Sequence, residues 1–120
     1  MKKAIWTIVL ILVVAATLSA CSNDKFPTGK YRNGSSVSEY REDGTFTMWD
    51  SDEIVTEGTY SVKGDEVTWI QDTFCDAENA GSATYKWIAD DQGLKFEKIG
   101  EEKCNGRWAA LSVKWFGPIE

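Results

Sequence analysis

The chain has 120 residues, with 13 basic and 19 acidic side chains, a net charge of −6 and no histidine. An acidic chain without a basic patch excludes binding of nucleic acid through phosphate neutralisation. With no histidine, no Gly-x-Ser-x-Gly elbow and no phosphate-cradling glycine loop, neither an enzyme, a cofactor nor a bound metal is expected.

Lys2 and Lys3 precede an uncharged apolar stretch, Ala4 to Leu18, that closes in Leu18-Ser19-Ala20-Cys21. Its length, about 15 residues, falls short of the roughly 20 that span a bilayer as a helix. The aliphatic residue, two small residues and cysteine resemble a bacterial lipoprotein lipobox at all four positions. Small side chains suit the narrow groove of a signal peptidase, and the Cys21 thiol is the group that would take a diacylglyceryl thioether. The resemblance implies a signal peptide over residues 1–20, cleavage before a lipidated Cys21, and a mature chain outside the cytoplasm. Plain secretion and a retained membrane helix are the alternatives. Ser22, where an Asp would signal otherwise, fits the outer membrane if the cell has two membranes. In a one-membrane cell the anchor would sit in the cell membrane, so the domain faces the periplasm or the exterior.

Without Lys2 and Lys3 the mature chain keeps eleven basic residues against nineteen acidic ones. Such a surface is poorly suited to lying on anionic lipid, so the membrane is a partner through the acyl chains alone. Cys75 and Cys104 then form an even pair in an oxidising compartment, which reads as one disulfide. Closing a loop of about 30 residues stabilises the fold by roughly 3.5 kcal/mol in the chain-entropy model. Two buried free thiols are the alternative.

Residues 21–28 are the lipidated cysteine and a short polar tether, and seven extended residues reach at most about 25 Å. From Gly29 to Glu120 the pattern is one all-β domain. Short segments rich in Tyr, Trp, Phe, Val and Thr alternate with Gly, Asp and Asn turns. Eight strands are expected at 29–33, 37–42, 45–50, 53–62, 65–71, 83–89, 94–99 and 107–116. No run shows a helical apolar stripe, so little helix is expected. Period-2 alternation places Phe46 with Met48, Tyr60 with Val62, Val67 with Trp69, Tyr85 with Trp87 and Leu94 with Phe96 on one face. The last segment adds Ala109, Leu111, Val113 and Trp115. One buried and one wet face on nearly every strand suggests an antiparallel eight-stranded up-and-down β-barrel, with a two-sheet sandwich as the runner-up. In such a meander the fifth and seventh connections, which hold Cys75 and Cys104, fall at one end. The N-terminus enters at the other.

The chain is similar to lipocalin-like (calycin-type) bacterial lipoproteins at several points. Gly29-Lys30-Tyr31 opens the first strand where lipocalins carry Gly-x-Trp. Gly44-Thr45-Phe46-Thr47, Gly58-Thr59-Tyr60-Ser61-Val62, Ala83-Thr84-Tyr85-Lys86-Trp87 and Cys104-Asn105-Gly106-Arg107 continue the likeness. The resemblance implies structural roles for Gly29, Tyr31 and Arg107, with the Arg107 guanidinium packed on the Tyr31 ring as a cation–π contact. Tyr31 stands in place of the tryptophan, and 100 mature residues (21–120) are short for a full lipocalin, so a roomy ligand cup does not follow from the likeness. Binding of a small apolar or aromatic molecule is still the function expected.

An eight-stranded barrel is either filled by its own side chains or holds one small ligand. The inward rings are Tyr31, Phe46, Tyr60, Trp69, Tyr85, Trp87, Phe96 and Trp115. If they enclose a cavity, Tyr60, Trp69, Tyr85 and Trp87 line it. If they fill the barrel, an envelope or extracellular protein docks on the mouth loops 72–82 and 100–106. Trp49 and Trp108 are expected to face outward. Asp50, Asp52 and Glu53 lack the further oxygen ligand and the glycine of a calcium loop, because Ile54 and Val55 stand there.

Overall fold

A computed structural model describes residues 25–77 and 79–120. The expected signal segment, the lipobox-like residues 18–21 and the lipidation expected at Cys21 lie outside the described residues. Eight strands follow in order: β1 (Gly29–Asn33), β2 (Ser36–Tyr40), β3 (Thr45–Asp50), β4 (Glu53–Lys63), β5 (Glu66–Asp72), β6 (Ala83–Ala89), β7 (Gly93–Ile99) and β8 (Trp115–Ile119). Each pairs antiparallel with the next, and β8 pairs with both β7 and β1, so the expected up-and-down barrel closes. Two short helices occupy connections at one end, α1 (Thr73–Ala77) after β5 and α2 (Asn105–Leu111) before β8.

Turn acids fix the ends of several strands. The Asp43 carboxylate accepts from the Thr45 N–H at 3.0 Å and from its hydroxyl at 2.6 Å. Asp90 accepts from the N–H groups of Gln92 and Gly93 at 2.8 and 2.9 Å. In each case a short acid satisfies turn donors that no strand partner reaches. Two bulges bend β4 and β5. Met48 pairs with Thr56 and Trp49 with Ile54, so Val55 is the extra residue of the first. Thr59 pairs with Gln71 and Tyr60 with Trp69, which makes Ile70 the extra residue of the second. Both extra residues are turned outward and exposed, as the local kink of a bulge requires.

All eight rings expected to face inward are buried. Tyr40 and Phe26 join them in the same core. Phe26 belongs to the segment read from the sequence as tether. Its ring instead enters the barrel from the end opposite the helices, with centroids 5.4 Å from Tyr40, 5.5 Å from Tyr60 and 5.7 Å from Trp87. Trp69 lies 5.4 Å from Tyr85 and 5.2 Å from Phe96, both edge-to-face. These separations are those of rings in direct contact. The polar tips reach the connections rather than each other. Tyr31 donates to the Pro27 carbonyl at 2.6 Å, Trp87 Nε1 to Gly64 at 3.0 Å, Tyr60 to the Arg41 carbonyl, and Trp115 Nε1 to Ala110 at 2.8 Å.

Three expectations are corrected. The segment 107–116 is not a strand: residues 105–111 form α2, and β8 starts only at Trp115. Buried positions in and before the helix are Cys104, Arg107 and Leu111, a spacing of three and four, while Ala109 and Val113 are exposed. Arg107 does not stack on Tyr31. It points into the helical end of the barrel and pairs with Glu102. Val62 does not share the burial of Tyr60; it stands at the rim of the opposite end, beside Lys25 and Phe26. Gly29 does hold a special position, with φ +132°, a backbone conformation that side chains disfavour.

Candidate functional site

The helical end carries the polar chemistry of the molecule. Cys75 of α1 and Cys104, the residue before α2, are bonded with Cα atoms 5.6 Å apart. The disulfide thus joins the fifth and seventh connections, the pair expected from the even cysteine count and put at one end by counting strands. Its sulfurs are fully buried and tie the two helices to each other.

Asp72 ends β5 and caps α1. One carboxylate oxygen, Oδ1, accepts from the Phe74 N–H at 3.1 Å and the Cys75 N–H at 3.3 Å. The Thr56 hydroxyl donates to the same oxygen. These donors replace water around an acid that is only 4% exposed.

Arg107 and Glu102 form a buried ion pair beside this cap. Arg107 Nε donates to Glu102 Oε2 at 2.7 Å and Nη2 to Oε1 at 2.8 Å, a side-on bidentate arrangement. Glu102 also accepts from the Tyr85 hydroxyl at 2.7 Å and the Cys104 N–H at 2.8 Å. Arg107 Nη2 reaches the Gly81 carbonyl at 2.9 Å. Burial pushes the Glu102 carboxyl up, but the hydrogen bonds from Arg107, Cys104 and Tyr85 outweigh it and hold the group below its ordinary value. Burial pulls the Arg107 guanidinium down, and Glu102 more than restores it. The Tyr85 hydroxyl is pushed far up, first by burial and then by donating to Glu102. The remaining guanidinium nitrogen, Nη1, is buried and has no hydrogen-bond partner among the described residues.

A cleft of about 80 Å³ lies between α2, α1 and the barrel end. Phe46, Met48, Trp69 and Leu111 form its apolar wall, and Asp72 and Arg107 are its charged groups. Val55 and Phe74, 46% and 42% exposed, stand at its rim. Phe74 lies so close over Gly106 that a Cβ there would come within 2.4 Å of its ring. More apolar side chains are exposed near this end: Ile54 at the start of β4, Ile70 towards the end of β5, Ile99 at the end of β7 and Trp108 on α2.

Of the four rings expected to line a cavity, Tyr60, Trp69, Tyr85 and Trp87 all lie in the packed core, and Trp69 alone also reaches the cleft. Trp108 faces outward as expected, though from a helix, with Lys98 Nζ 4.7 Å from its ring centroid. Trp49 is half-buried on the outer face of β3, opposite Val37 and Ile54. Asp50 accepts from the Ser35 hydroxyl at 2.7 Å, and no group of metal-ligating side chains gathers among the described residues. The sequence reading missed Asp72 and Glu102. Asp72 left a signal, since an Asp directly before Thr-Phe-Cys has the form of a helix N-cap. Glu102 left none.

Compared with known proteins, the chain matches no family model, no curated protein and no solved structure.

Proposed function

We propose that the chain is a lipid-anchored lipoprotein of the bacterial cell envelope whose lipocalin-like barrel is a filled scaffold. Its recognition surface would be the disulfide-clipped end, and its partner an envelope or extracellular protein. The observation that carries this reading is the ring packing: Phe26, Tyr40, Tyr60, Trp69, Trp87 and Phe96 touch one another across the interior. A drug-sized ligand needs about 300 Å³ or more, so it would have to force these rings apart. Two further observations agree. The chain enters at the opposite end, near Lys25 and Phe26, so a lipid on Cys21 would leave the clipped end facing away from the membrane. Exposed apolar side chains stand at that outward end, Val55 and Phe74 at the cleft, Ile99 at the end of β7 and Trp108 on α2. The anchor rests on the lipobox residues Leu18-Ser19-Ala20-Cys21.

The test is photo-crosslinking in cells from a reactive residue placed at Phe74 or Trp108, with Val62 at the opposite rim as control. Crosslinks to one protein from the first two positions and none from the third are expected. Crosslinks from Val62 alone would overturn the assignment of the surface. The carrier reading, with a small apolar molecule among Tyr60, Trp69, Tyr85 and Trp87, predicts instead an adduct of a few hundred daltons in native mass spectrometry. Replacing Cys21 by Ser should release the protein from the membrane fraction; retention there would refute the anchor.

A further inference from the structure

The cleft between α2 and α1 has the size of one side chain. Phe46, Met48 and Trp69 wall it from the barrel, and α2 lines it with Gly106, Arg107, Ala110 and Leu111. Those four positions form one helix face, so Trp108, with Lys98 over its ring, lies on a different one. A cavity of about 150 Å³ holds benzene, with its six carbons. By that measure about 80 Å³ holds roughly three carbons, the isopropyl tip of a leucine, and no aromatic ring. A free molecule of three carbons gains too little to bind firmly. A side chain carried on a docking protein is held there by the contacts around it, and Val55 and Phe74 stand exposed at the rim to make them.

The surrounding charges select what flanks that side chain. Asp72 lines the cleft, Asp76 is exposed on α1, and Glu57 is exposed where its N–H bonds the Thr73 hydroxyl at 3.1 Å. The one base in the lining, Arg107, is neutralised by Glu102. Neither α1 nor residues 53–57 of β4 carry a base. Of the nearby lysines, Lys98 is taken up by Trp108 on the other helix face, and Lys103 alone is exposed beside the start of α2. An apolar slot with an acidic rim is complementary to an aliphatic side chain set between basic ones.

We infer that the cleft takes the tip of one leucine from a basic segment of the docking protein, whose lysines or arginines lie over Glu57 and Asp76. The inference rests on the clipped end being a docking surface and names what that surface recognises.

The experiment titrates the protein, labelled with nitrogen-15, with a capped peptide of one leucine between two lysines on each side. Two further peptides carry alanine for the leucine, or glutamates for the lysines. Saturable shifts of the Gly106 and Ala110 amides and of the Trp69 indole N–H are expected with the leucine peptide. The alanine peptide should bind about tenfold more weakly. The glutamate peptide should not saturate, and added salt should weaken the leucine peptide. No saturable shift with the leucine peptide would overturn the inference, even where crosslinks from Phe74 and Trp108 uphold the docking surface. Crosslinks from Val62 alone would overturn both. Equal binding of the alanine peptide would remove the anchor, and equal binding of the glutamate peptide would remove the charge selection. Ala110→Leu fills the cleft from α2 and should abolish the shifts. Undiminished binding in that variant would place the peptide elsewhere, and the alanine peptide decides the same point without altering the protein.

Discussion

Arg107 and Glu102 meet edge to edge inside the clipped end, with side chains 3% and 1% exposed. Five residues apart, they bracket Cys104, whose N–H also bonds Glu102. One carboxylate thus ties together the disulfide, the start of α2 and, through Tyr85, the wall of the barrel. Burying two charges is offset only while both are present.

Replacing Glu102 by Gln should therefore destabilise the protein by about 3–5 kcal/mol, because it leaves the guanidinium buried and uncompensated. The pH dependence follows from the same residue. Its carboxyl titrates below the ordinary glutamate range when folded, so the unfolded chain binds the proton first as pH falls. The stability from this pair is whole above about pH 4.3 and is lost as pH drops through the depressed value. Urea melts of wild type and Glu102→Gln between neutral and acid pH should converge at the acid end. Parallel curves would show that Glu102 is not the titrating group.

All four tyrosines should resist ionisation in the folded state. Burial raises each of them; Tyr60 is pushed up to about 12, and Tyr31, Tyr40 and Tyr85 also lie above the usual value. Because the folded values exceed the unfolded one, the stability they hold is full below about pH 10 and declines as pH rises beyond it. Absorbance at 295 nm should show no tyrosinate until unfolding or until Tyr60 titrates. A normal tyrosine ionising near pH 10 in the native protein would contradict the packing.

Phe26 makes the N-terminal segment part of the fold. Phe26→Ala should cost about 3–5 kcal/mol, the range for emptying a buried aromatic site, measured by thermal or urea unfolding. A chain that starts at Gly29 should be destabilised similarly, while changes at Lys25 should be nearly neutral.

Gly58 lies where β4 crosses close to β5. A Cβ there would stand 1.9 Å from the Gln71 carbonyl oxygen and 3.0 Å from the Asp72 Cα. Gly58→Ala must push the strands apart and should cost about 1–3 kcal/mol, as overpacking does. Since Asp72 caps α1, amide signals of residues 73–77 should shift with it.

Reduction of the Cys75–Cys104 bond, or its replacement by two alanines, should lower stability by roughly 3.5 kcal/mol in the loop-entropy model. Hydrogen exchange should quicken first in α1 and α2, because few backbone bonds other than their own hold those connections. Equal loss of protection across β2, β3 and β4 would mean that the clip supports the whole barrel.

Local pattern alone determined much of this protein. Period-2 alternation in Phe46/Met48, Val67/Trp69 and Tyr85/Trp87 was enough to place the strands and their buried face, because a half-buried strand writes its two environments directly into neighbouring residues. Counting those strands also put Cys75 and Cys104 at one end. The same logic misread residues 107–116. Leu111, Val113 and Trp115 alternate as a strand would, while the true helical stripe runs through Cys104, Arg107 and Leu111, where a buried arginine hides the apolar period. Only the tertiary structure could bury that arginine, since its cost is met by Glu102 and by Tyr85 from another strand. It also decided that the rings meet one another and that Phe26 packs among them. Side-chain volume against enclosed space is a property of the closed barrel, and no window of sequence contains it.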